Sequence, residues 1–219
     1  MKNSTWSGRF KKGLDKQVLE FSESVSIDHL LFDSDIRVSL AHAEMLGECK
    51  IITKTEAKKL CKGLQQVKKK YYEGKLSLSI KHEDVHMNIE QALTKEVGEL
   101  GKKIHMGRSR NDLVATDFRL YLRDCADLIL AKIKDIRYAV ALVAKANFDV
   151  IFPGYTHMQL AQPVSFGHHL LAWHEMFARD EQRILQVKDS INVMPLGSAA
   201  LSGSPYKIDR RLVAKKLGF

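Results

Sequence analysis

From Asp112 to Asn147 the chain contains neither proline nor glycine. Across that run Leu113, Phe118, Leu120, Leu122, Ile129, Ile133, Ile136, Val140 and Val143 recur near the helical period. The pattern predicts one buried helix, on the order of 50 Å long at about 1.5 Å of rise per residue. A rod of that length limits the fold, because its apolar stripe needs partners of similar reach.

The rest of the chain supplies further helices. Ser34 is placed to cap one that carries Ile36, Leu40, Ala43 and Leu46 and stops near Gly47. Thr53 with Glu56 forms a capping box for a helix with Leu60, Leu64 and Val67 facing inward and Gly74 beyond its end. A shorter helix is predicted from about Glu83 to Val97, before Gly98 and Gly101. Pro163 suits the first turn of a second long helix, reaching Ser190. No extended period-2 pattern, repeat or low-complexity tract is visible, although Ile80–Lys81 and the approach to Pro153 could hold short extended pieces. The expected class is all-α, a bundle whose exposed apolar stripes seek other copies.

Composition excludes several functions. No stretch approaches the roughly 18 apolar residues of a membrane span, and the first residues lack the apolar core of a secretory signal. Cys49, Cys61 and Cys125 form no CxxC pair and read as reduced thiols, which points to the cytoplasm. The formal charge of +9 raises the question of nucleic acid. Its lysines, such as Lys58, Lys59 and Lys68 to Lys70, are scattered without the interleaved aromatics of a base-stacking platform. Small anionic substrates are the better use of that charge.

Three clusters carry chemistry. His82-Glu83-Asp84-Val85-His86 fits HExxH, two histidines one helical turn apart with a glutamate for a zinc hydrolase. The longer zinc pattern fails at Ile89 and Ala92, and a capping His82 with a partly buried polar His86 is the plainer reading. His105-Met106-Gly107-Arg108-Ser109-Arg110-Asn111-Asp112 stands directly before the long helix. Free N–H groups and the dipole there make either a carboxylate seat or an ordinary cap by Ser109 or Asn111. Pro153 to Pro163 joins the two long helices and carries Tyr155, Thr156, His157, Gln159 and Gln162. Catalytic groups concentrate in such connections, and a histidine exchanges protons near neutrality; taken alone, a loop histidine such as His157 is more often a structural hydrogen-bonder. His168, His169 and His174 read as packing or surface residues, and Met45, Met106 and Met158 as core filler.

The strings WSGRF, EDVHMNIE, HMGRSRNDLVATDFRLYLR, FPGYTHMQLAQPVSFGHHLLAW and PLGSAALSGSP occur in this order along nearly the whole chain. Together they resemble the argininosuccinate lyase family, within the fumarate-releasing lyases that also include fumarase, aspartase and adenylosuccinate lyase. The resemblance implies a small N-terminal helical domain over 1–106 and, over 107–219, the first part of a central long-helix bundle. It further implies that Ser24, Asn111 and Thr156 contact substrate and that His157 takes part in proton transfer. Asp84, His86, Ser109 and Arg110 are implied as neighbours in the same site. The implied reaction is elimination of fumarate from argininosuccinate to give arginine, in a homotetramer with sites shared between subunits and without metal or organic cofactor. Family members run roughly twice this length, and the stretch GSSxMPxKKNP with their catalytic serine is not found here. The resemblance therefore implies a truncated chain, inactive alone. Leu113 stands where the family usually has glutamine, Ser7 where it has glycine, and Ser204-Pro205 where it has small residues. A crystallin-like structural protein on the same scaffold and another fumarate-releasing lyase are the alternatives.

If Asn111 and His157 both serve one substrate, the long helix between them requires two different subunits.

Overall fold

A computed structural model describes residues 15–219. The WSGRF string and Ser7 lie outside the described residues. The chain divides into two compact units, one of residues 15–121 and 194–219, the other of residues 122–193.

In the first unit the order is α1 (Lys16–Ser22), α2 (Val25–Asp28), a 3-10 turn (His29–Leu31), α3 (Phe32–Glu48), α4 (Lys54–Tyr72), a 3-10 turn (Ile80–His82), α5 (Val85–Val97) and a longer 3-10 segment (Gly98–His105). The start of α6 (Arg110–Ala146) and the terminal α8 (Arg210–Leu217) complete it. Helix α3 is buried nearly all round, with Phe32, Ile36, Val38, Met45 and Leu46 in the core, so it sits centrally. Helix α4 begins with the expected capping box: the Thr53 hydroxyl accepts the Glu56 N–H, and the Glu56 carboxylate accepts the Thr53 N–H. Its face of Ala57, Leu60, Leu64 and Val67 packs inward, each large side chain contributing about 1.5–3 kcal/mol. Gly63 on that face lets α5 approach closely, since a Cβ there would come within 2.6 Å of Val97 and 2.7 Å of Leu93.

Ser34 does not cap α3. The helix begins at Phe32, directly after the 3-10 turn, and Ser34 is buried inside it. Burial of Leu31 and Phe32, with Phe32 stacked on Tyr71 at 3.9 Å, outweighs the local capping preference. Helix α5 starts two residues later than expected, capped by Asp84, whose side chain accepts the Met87 N–H at 2.6 Å.

In the second unit, the remainder of α6 is followed by β1 (Ile151–Thr156), β2 (Gln159–Ser165) and α7 (Phe166–Ile191). The strands pair antiparallel, with Thr156 opposite Gln159 and Pro153 opposite Pro163. Pro163 is thus a strand residue, and Ser165 caps α7 through the His168 N–H at 3.1 Å. A two-stranded ribbon has only edges and so tolerates prolines. Neither strand buries a face, which is why no alternation marked them in the sequence. Arg137–Glu181 and Lys188–Asp127 ion pairs join α6 to α7 within this unit. Helix α6 runs unbroken as expected, and Leu113 and Leu120 are buried; yet Ile129, Ile136 and Val143 are exposed, as are Leu171 and Trp173 on α7. Met158, expected as core filler, is 93% exposed at the hairpin tip, whereas Met45 is fully packed.

Candidate functional site

Six of the eight residues implicated from sequence fall in the first unit, where direct contacts join Asp84 to Arg110 and Ser109 to Asn111. The Ser24 hydroxyl donates to Asp28 Oδ2 at 2.6 Å, and Asp28 Oδ1 accepts the Val85 N–H at 3.0 Å. The Ser24 and Val25 N–H groups both donate to the Glu83 carbonyl, at 2.8 and 3.1 Å. Glu83 adopts φ 65° and ψ −63°, while the Asp84 N–H donates to the His82 carbonyl at 2.7 Å. This is a γ-turn of the strained, positive-φ kind, which persists only where its surroundings over-determine it. It aims Asp84 at Arg110: Asp84 Oδ2 lies 3.2 Å from Arg110 Nε, and Arg110 Nη2 is 3.9 Å from Glu90 Oε2.

The turn also decides the HExxH string. His82 precedes the kink and His86 follows it on α5, so the two are not one turn apart on one helix. The spacing a zinc hydrolase needs is not formed.

Ser109 is the cap of α6. Its hydroxyl accepts the Asn111 N–H at 3.4 Å and its carbonyl accepts the Leu113 N–H at 3.3 Å, leaving the Asn111 side chain exposed on the first turn. Asp112 anchors this start. One carboxylate oxygen accepts the Ser109 N–H at 2.8 Å; the other accepts the N–H groups of Gly197 and Ala199 at 2.8 and 2.7 Å. The PLGSAA segment is thereby tied to the GRSRND turn. Between them opens a cleft of about 550 Å³ lined in part by His105, Ser109, Ser204 and Tyr206, so the unusual Ser204-Pro205 pair borders Ser109.

His86 is not at the surface. It is buried with Asp35 and Asp117, its Nδ1 at 2.7 Å from Asp35 Oδ2 and 3.3 Å from Asp117 Oδ2. Burial alone would strip its proton, but the two carboxylates prevail and hold its pKa at about 10. Burial and the neighbouring Asp35 charge push the Asp117 carboxyl up to about 7, against the pull of His86 and Arg108. Burial opposes ionisation of Asp35 too, yet His86, Arg108 and Ser39 together hold it below the usual carboxylate range. These three residues offer ligand atoms within 4.8 Å of one another, a donor set that a metal ion could use. The proton on His86 and the Arg108 guanidinium already supply the positive charge there. Sequence reasoning missed Asp35 and Asp117. The available signal was a carboxylate inside an apolar stripe: Asp117 shares its face with Leu113 and Leu120, and Asp35 shares its face with Val38.

Thr156 and His157 stand in the second unit at the hairpin tip, both exposed. His157 and Met158 form the two-residue turn with φ of 51° and 62°. Such turns favour glycine or asparagine, and left-handed backbone costs roughly 1–2 kcal/mol per ordinary residue. The tip is held in that shape and presents the imidazole outward.

The sequence profile of the lyase family matches residues 8–219. Argininosuccinate lyase of Chromohalobacter salexigens is 48% identical over 217 residues, covering 99% of this chain and 46% of the relative. That of Nitrosococcus oceani is 47% identical over 98% of this chain and, again, 46% of the relative. The chain thus spans about half the length of the curated relatives it matches. Among solved structures, EDDS lyase in complex with formate superposes with a TM-score of 0.77 at 30% identity, over 90% of this chain and 38% of that one. A fumarate lyase from Mesorhizobium sp. BNC1 shares the fold with a TM-score of 0.70 at 21% identity, over 95% of this chain and 49% of its own. With its helical architecture and the profile match along all but its first residues, the chain belongs to the lyase family.

Proposed function

We propose that this chain supplies part of an argininosuccinate lyase, a carbon–nitrogen lyase of arginine biosynthesis that releases fumarate. The observation that carries the reading is 48% identity to an argininosuccinate lyase across nearly the entire chain, a span that includes GRSRND and GYTHMQLAQP. In the elimination, a proton leaves the carbon beside a carboxylate, the neighbouring C–N bond breaks, and its electrons depart with the guanidinium nitrogen of arginine. The intermediate charge gathers on the carboxylate, where preset N–H groups, hydroxyls and cations stabilise it. Ser24, Asn111 and Thr156 contact the substrate, Ser109 and Arg110 shape the seat beside Asn111, and Asp84 orients Arg110. His157 assists proton transfer at the hairpin tip, with the base serine provided by a stretch not found in these residues. His86 acts from below the surface.

Substrate is shared between copies in a cytoplasmic homotetramer, and residues 107–219 begin its central bundle. Different copies contribute Asn111 and the Thr156–His157 pair to each site. The apolar residues left exposed along α6 and α7 support the assembly. Another fumarate-releasing lyase is the second reading, favoured by the 30% identity to EDDS lyase, a variant of which has been solved with bound fumarate. A test joins this chain to the portion of the Chromohalobacter salexigens relative beyond the matched span and offers it argininosuccinate, adenylosuccinate and malate in parallel. Fumarate from argininosuccinate alone is expected; preference for another substrate overturns the assignment.

A further inference from the structure

We propose that Asp35 and Asp117 are positioning residues of this site: through His86 and Arg108 they align the start of α5, bearing Asp84, with the start of α6, bearing Ser109 to Asn111. The proposal rests on reading those two helix starts as substrate-facing.

Four elements meet in one buried row. Arg108 Nη1, from the turn before α6, donates to the Ser39 hydroxyl of α3 at 3.1 Å. That hydroxyl donates to Asp35 Oδ1 at 2.7 Å, and Asp35 Oδ2 receives His86 of α5 at 2.7 Å. Asp117 of α6 meets the same His86 nitrogen at 3.3 Å as an ion pair. Asp35, His86, Arg108 and Asp117 are all 8% exposed or less.

The row has a counterpart on the surface. Asp84 lies two residues before His86 on the α5 side, and Arg110 two residues after Arg108 on the α6 side; these outer residues pair directly. Helix start α5 and turn 107–111 are thus held twice, outside by Asp84–Arg110 and inside through α3. Glu90 and Arg110 are the further charges acting on Arg108.

Stability alone accounts poorly for such a row. Four water-free charges are costly, and apolar residues of similar volume usually serve a core as well or better. Asp117, wholly buried, has the His86 ring nitrogen as its charged partner at 3.3 Å. Asp117 serves instead as counter-charge to His86, keeping the imidazole doubly protonated and drawn toward both α3 and α6.

The experiment is nuclear magnetic resonance on the 219-residue chain with labelled histidine and backbone. In the wild type, His86 is expected to keep both ring protons at about pH 8, well above the ordinary histidine value. Asp35→Asn and Asp117→Asn keep the side-chain shape and remove the charge. Each is expected to release the His86 proton at that pH and to shift the amides of Asp84, Ser109 and Asn111, leaving those of α4 and α8 in place. A neutral His86 in the wild type overturns the proposal. So do variants whose Asp84 and Ser109–Asn111 amides stay put, or whose amides move throughout the unit. Variants that fail to fold assign the row to stability alone and overturn it as well. None of these readouts involves a substrate, so a failed turnover assay would remove the proposed chemistry without touching the alignment, and the converse.

Discussion

Replacement of Asp112 by alanine removes one carboxylate that three backbone N–H groups share. The bond from Gly197 is buried, while those from Ser109 and Ala199 are partly accessible to water. A buried donor left without an acceptor costs about 1–3 kcal/mol, and a charge-assisted bond that water can replace contributes nearer 1 kcal/mol. The sum is about 3–5 kcal/mol, a large part of the stability of an ordinary domain. Asp112→Asn is expected to lose about half as much, since its amide oxygen still accepts on one side while its NH2 faces an N–H on the other. Urea unfolding followed by circular dichroism measures the loss. Hydrogen exchange of the Gly197 and Ala199 amides shows whether the PLGSAA segment detaches first. A loss below about 1 kcal/mol for the alanine variant, or unchanged exchange at both amides, would refute the anchor.

Further expectations concern pH, the hairpin tip and the core. His42 is buried with Nε2 2.9 Å from the Met106 carbonyl, and burial, helped by Arg108, lowers its pKa to about 3. Its folded pKa lies below the unfolded one, so its contribution is present above about pH 6.5 and is lost as pH falls from there toward 3, by at most about 5 kcal/mol. Urea midpoints of wild type and His42→Asn are expected to converge on acidification, and parallel profiles would contradict this. Met158→Gly relieves one left-handed residue in the hairpin turn and is expected to raise the thermal midpoint of the second unit, corresponding to about 1 kcal/mol; a lowered midpoint would show that the side chain matters more than the backbone. Leu60→Ala, at a fully buried position on α4, is expected to cost 2–5 kcal/mol in urea unfolding, and a smaller loss would show that the core collapses around it. The 219 residues by themselves are expected to release no fumarate from argininosuccinate, and activity in a preparation free of any longer lyase would contradict that.

What the sequence disclosed tracks how local the controlling interactions are. The capping box at Thr53 and the proline-free run of α6 are written in neighbouring residues, and both are present. The hairpin was hidden because its strands bury no face, and the proline at 163 imitates a helix start. Ser34 misled for the opposite reason: a good local cap lost to distant packing of Phe32 on Tyr71. The motif strings brought Asp84, Arg110 and Asn111 into view, and the family resemblance added Ser24. Asp28 and Asp112 fix Ser24 and the Ser109–Asn111 turn from within four residues, whereas Asp35 and Asp117 face inward and meet His86 only in the fold.

Turnover of argininosuccinate by the joined chain, with and without His157→Asn, tests the central claim most directly. Fumarate release is expected with His157 in place, together with a large fall in kcat and little change in the unfolding midpoint for the variant. A folded, tetrameric joined protein that releases no fumarate, or one equally active without the imidazole, would contradict the account.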